Sequence, residues 1–164
     1  EDIYRELHKI AAIHLSRSAA HASLQTTQLV HEAWLRLEDQ GWKSKTHFLA
    51  LASRAMRNIL VDAVRARHAA KRPGSGHRVD WTPQVEFDAL KLSLPIEQIL
   101  DLDLALNELE AKDPRKAQVV ELRFFGGLDF PEIAESLGVS LITAKRDWEF
   151  SRVWLFRRLR GQSV

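Results

Sequence analysis

Two sets of cations have the residue types and spacing to do chemistry, and that chemistry is the recognition of phosphates and base edges. The first set is Lys145 and Arg146, which follow Ser140 closely enough to lie in the opening turns of one helix. The second is Arg54, Arg57, Arg65, His68 and Arg72, which fall at helical spacings of three, four or their multiples and so align as a ridge. From Arg54 to Arg78 there are seven Arg and Lys against Asp62 alone. A merely solvated helix face usually mixes both signs, whereas a ridge of one sign is the electrostatic footprint of a polyanion site.

Catalytic and metal chemistry fail on spacing. Seven His are present, and His31-Glu32 opens like a zincin motif, but Leu35 stands where the second His must be. No Gly-rich phosphate loop follows a strand, and no strand is expected. Nothing assembles a nucleophile, a base and an electrostatic stabiliser, so we expect no enzyme, no metal and no cofactor. The chain has no Cys, which excludes disulfide staples and thiolate metal sites and fits a reducing, cytoplasmic setting. No apolar run approaches the ~20 residues of a membrane span. At 164 residues the chain allows one medium domain or two small ones. Net charge is only +2 although the pI is about 9.1, so the placement of charge matters more than its sum.

Lys145 and Arg146 are positioned by the best-punctuated stretch of the sequence, residues 117–159. Asp129 suits an N-cap, Pro131 the first turn, and Glu132 the third position of a capping box. Phe130, Ile133, Ala134 and Leu137 share one apolar face, and Gly138 supplies a left-handed stop. Only Val139 separates that glycine from Ser140, the cap of a longer second helix. This is the layout of a helix-turn-helix, and equally of an αα-hairpin within a larger helical protein. On the second helix Ala144, Trp148, Ser151, Leu155 and Leu159 form the packing face, with Lys145, Glu149 and Arg152 along a neighbouring edge. Phe150 and Trp154 point away from that face, either as an interface or because the helix is buried on more than one side.

The rest of the chain is also helical. Ile3, Leu7, Ile10, Ala11 and His14 mark a helix to about Arg17 with no cap beyond Asp2, so we expect the element to start before Glu1. After a Ser/Ala-rich loop, Thr26 or Thr27 caps a helix burying Val30, Ala33, Trp34 and Leu37, with Gln28, His31, Glu32 and Arg36 on its free face. The connector Trp42-Lys43-Ser44-Lys45 leads to a helix capped by Thr46 and running to about Ala70, which carries the arginine ridge. Pro73-Gly74-Ser75-Gly76 breaks it, and residues 73–95 read as an extended linker and a domain boundary. An acidic helix, Ile96 to Ala111, then precedes Asp113-Pro114 and a helix to Phe125. The expected fold is all-α, with two small helical domains, 1–72 and 96–164, joined by the linker.

Two basic helical blocks, the second ending in a helix-turn-helix, resemble a bacterial sigma factor of the sigma-70 family, extracytoplasmic-function (ECF) type. LVHEAWLRL (Leu29 to Leu37) looks like that family's core-polymerase-binding helix. The segment from Thr46 to Arg72, with its Arg57-Asn58…Asp62 pattern, resembles the promoter-melting helix, and VVELRFFGGLDFPEIAESLGVSLITAKRDW the reader of the upstream element. The resemblance implies that Gln28, His31, Glu32 and Arg36 dock on the β′ clamp helices of core RNA polymerase. It implies that Trp42, Lys43, Lys45 and His47 surround a flipped base of the −10 element, with Arg54, Arg57, Asn58 and Arg65 holding the opened strand. It gives Ser140, Thr143, Lys145, Arg146 and Glu149 to the −35 element in the major groove, and Arg152 to a phosphate. Asp147 and Glu149 fall where many relatives place basic or aromatic residues, so the base preference does not carry over, and Asp147 suits a local salt bridge. Expected partners are promoter DNA, the β′ clamp helices and β flap of the polymerase, and an anti-sigma protein, with no membrane insertion. The competing readings are a stand-alone helix-turn-helix regulator and an adaptor that binds polymerase or an anti-sigma protein without reading DNA.

Overall fold

A computed structural model describes residue 5, residues 26–70 and residues 99–161. The expected first helix, the Ser/Ala-rich loop and the linker 73–95 lie outside these residues. The described elements are α1 (Thr26–Glu38), α2 (Lys45–Ala70), α3 (Ile99–Lys112), α4 (Pro114–Val120) continuing into a π turn (Glu121–Phe125), α5 (Phe130–Leu137) and α6 (Leu141–Leu159). The fold is all-α, with no strand among the described residues. None of the described helices is long and apolar enough to cross a membrane.

Local chemistry sets most boundaries. Ser44 Oγ accepts the His47 N–H at 3.1 Å, so α2 is capped two residues ahead of the Thr46 expected from sequence. Asp113 caps α4 through the Lys116 N–H, with Pro114 at the first position, and its carboxyl is held below the usual range by the hydrogen bond from the Lys116 side chain. The Asp129–Glu132 capping box is complete at the start of α5, with both bonds near 3 Å (Glu132 N to Asp129 Oδ1, 2.9 Å; Asp129 N to Glu132 Oε2, 3.0 Å). Gly138 closes α5 at φ 64°, a left-handed conformation in which a side chain would be strained.

Packing follows from these caps. α1 lies on α2, burying Leu29, Val30, Ala33 and Leu37 against Phe48, Ala52 and Met56. α4 and α6 pack together, with α3 and α5 against them. In addition α2 packs against α3, the π turn and α5, so the two helical blocks touch and share one continuous apolar core. The approach is tight at Gly126, where an added Cβ would sit 1.9 Å from Ser53 Oγ of α2 and 2.6 Å from the Leu122 carbonyl oxygen. Only glycine fits there.

Candidate nucleic-acid interface

α6 is held from its inner side, which leaves its outer side to meet a ligand. Ala144, Trp148, Ser151 and Leu155 are buried as their spacing predicts. Asp147 is buried too, gripped by Arg115 of α4 at 2.6 Å (Nε to Oδ2), and it raises the already high pKa of that guanidinium. Ser151 Oγ donates to the Asp147 carbonyl at 2.7 Å. Asp147 is thus an inward-facing salt bridge and not a base reader. Trp154, off the main packing face, takes the second of its two expected roles: it is buried under the Lys112 ammonium, 5.3 Å from the ring centroid, because α3 covers a second side of α6. Phe150 alone of that pair is exposed.

The outer side of α6 carries the expected readers. Ser140 is spent on the cap, its Oγ accepting the Thr143 N–H at 3.1 Å. Lys145, Arg146 and Glu149 are exposed, and Arg152 holds Glu149 at 2.9 Å. Leu141 and Ile142 join this surface at 41% and 63% exposure. In the sequence, apolar residues in a first turn look like core, yet neither falls on the packing face.

In the first block, α1 presents Gln28, His31 and Arg36 as exposed and Glu32 as half-exposed, with Arg36 bridging Glu32 (3.0 Å) and Asp62 of α2 (3.4 Å). Leu35 stands among them 54% exposed, three residues from Glu32 and four from His31. Its helical spacing from those two residues was the available signal. Trp42 is half-buried, edge-on to Phe48 (4.9 Å) and Trp34 (6.0 Å). Lys43 and Lys45 are exposed, and His47 Nδ1 accepts the Lys43 N–H at 3.1 Å.

The arginine ridge is where structure and expectation diverge. Asn58 and Arg65 are exposed and Arg54 is 46% so, but Arg57 is only 2% exposed. Its Nε donates to Asp103 Oδ1 at 2.8 Å, one terminal nitrogen to Glu121 Oε2 at 2.9 Å and the other to Asn107 Oδ1 at 2.8 Å. Arg54 meets Glu110 at 3.2 Å and Glu121 at 3.3 Å, and Arg65 lies 4.0 Å from Asp103. The cleft here, about 330 Å³, is lined by Arg36, Arg54, Arg57, Asn58, Arg65 and Asp103 among others. Each of its arginines is already paired with a carboxylate, so the cleft is no open anion site.

A family model described as ECF sigma factor matches residues 1–161. No curated protein and no solved structure matches.

Proposed function

The chain belongs to the ECF sigma factor family, whose members act in transcription initiation without catalysis of their own, and from that premise we propose that it reads promoters at two elements. Residues 96–164 form the −35 reader and residues 1–72 the unit that binds core polymerase and opens the −10 element. The observation that carries the first half is the outer side of α6. Lys145, Arg146 and Glu149 are exposed on a capped helix whose inner side is locked by Asp147 and Trp148. In the major groove Arg forks onto guanine and Glu accepts from cytosine, each good pair contributing ~1–3 kcal/mol of discrimination. Leu141 and Ile142 add apolar contact of the kind thymine methyl groups accept. Arg152 steadies Glu149 and reaches a phosphate.

In the first block, Trp42, Lys43, Lys45 and His47 border the site for an extracted base, and Arg54, Arg57, Asn58 and Arg65 track the opened strand by charge and stacking. Gln28, His31, Glu32 and Arg36 dock on the β′ clamp helices, and the second block meets the β flap. Leu35 supplies the apolar centre that such a polar rim needs. Leu35→Asp is expected to weaken binding to core polymerase about tenfold, as an interface anchor does when truncated, with an unchanged melting temperature because the side chain is exposed. A pull-down titration with purified core enzyme reads this. An anti-sigma protein is the further partner of this reading.

The test of the whole reading is run-off transcription with purified core polymerase. A promoter-dependent transcript that requires this protein is the expected result. Stable duplex binding by the protein alone with no such transcript would make it a stand-alone regulator, and polymerase binding without promoter dependence an adaptor.

A further inference from the structure

The acceptors that meet the arginine ridge are not scattered. Asp103, Asn107 and Glu110 recur at helical spacing on one face of α3, and Glu121 opens the π turn beside them. Together they engage three of the four side chains assigned to the opened strand: Arg54, Arg57 and Arg65. The contacts join residues 46 to 64 positions apart for Arg57 and 56 apart for Arg54 and Glu110, so they tie the first block to the second and do nothing within either. The geometry resembles what a phosphate backbone offers. Carboxylate oxygens accept from Nε and one terminal nitrogen of the Arg57 guanidinium, and the Asn107 amide oxygen accepts from the other, which fills the fork that grips phosphate.

We propose that in the free chain the acidic face of α3 and the π turn occupies the strand-opening surface of α2 as a stand-in for nucleic acid, so that the two blocks must part before that surface can hold DNA. The inference rests on the −10 assignment made above and adds a closed state to it. The Arg57 ion pairs are buried and specific but return little net stability over their hydrated, separated halves, so what opening must overcome is the apolar contact between the blocks. A polyanion exchanges for the carboxylates like for like, which makes the closure reversible by the ligand it excludes. The −35 side of α6 is untouched by the closure, since Lys145 and Arg146 remain exposed. The free chain therefore keeps its duplex reader available while its strand holder is covered.

The absence of Cys allows a dye pair to be placed by Glu38→Cys and Arg157→Cys, on two exposed positions in different blocks. Energy transfer in the full-length chain is expected to fall when a mixed-sequence single-stranded oligodeoxynucleotide is added. In Asp103→Asn/Glu121→Gln, which keeps shape and removes charge, transfer falls without DNA, and affinity for the oligonucleotide rises at least about fivefold. Glu110→Gln, at an exposed pair, shifts both readouts in the same direction by less and serves if the double variant does not fold. Unchanged transfer on saturation of the wild-type chain with oligonucleotide overturns the proposal, as does unchanged oligonucleotide affinity in the folded charge variants. Run-off transcription keeps the two readings apart. A chain that supports promoter-dependent transcription yet shows no closure loses only this inference, whereas one that supports none loses the −10 assignment itself.

Discussion

Trp148→Ala is expected to lower the free energy of unfolding by about 3–5 kcal/mol and to abolish recognition of duplex DNA, although the indole touches no DNA. Trp148 is 5% exposed on the inner side of α6. The Arg123 guanidinium of the π turn lies 5.7 Å from its ring centroid and 4.1 Å from that of Phe130 in α5, so three elements meet at this point. Truncation leaves a cavity among helices that are short and cannot collapse to fill it, and the loss is a large share of a typical domain stability of about 5–15 kcal/mol. Denaturant unfolding followed by circular dichroism measures the effect. Lys145→Ala, on the outer side, should change stability by no more than about 0.5 kcal/mol. A loss under about 1 kcal/mol for Trp148→Ala would mean that the helix pair is not held by this core.

Arg146→Ala is expected to do the reverse: full stability, with a loss of about 1–3 kcal/mol of promoter discrimination, or roughly 5–150-fold. The measurement is run-off transcription by the reconstituted holoenzyme on a cognate promoter and on the same promoter with its −35 element scrambled. The variant should narrow the ratio between them. Trp42→Ala should leave that ratio alone and slow opening, since Trp42 belongs to the other block, where it packs on Phe48 and Trp34. If both substitutions weakened duplex binding equally, the division of labour between the blocks would be wrong.

The helix pair α5–α6 was readable because its determinants are local. Asp129, Glu132, Gly138 and Ser140 each act within four residues, and all four take the roles their spacing implies. The all-α class was readable from periodicity for the same reason. The fate of Arg57 was not, because its partners Asp103, Asn107 and Glu121 lie 46 to 64 residues away, and helical spacing says which side chains align but not what covers them. A clue did exist in the acidic residues of α3, opposite in sign to the ridge. Trp154 stayed open between an interface and a second buried side for a related reason: a wheel with one apolar face does not say how many neighbours cover the helix, and α6 has several. The π turn left no mark in composition at all.

That turn spaces its carbonyls one residue wider than an α-helix does, as the Gly126 N–H reaching back to Glu121 at 3.2 Å records. A π turn spreads one revolution over about one residue more than an α turn does, so it absorbs the extra residue locally and leaves what lies on either side in register. Arg115 can therefore keep Asp147 near the start of this helical run while Glu121 keeps Arg57 further along it. The surplus residue is slack taken up within a single turn, and it lets one short rod serve both the anchoring of the reader and the latch between the halves.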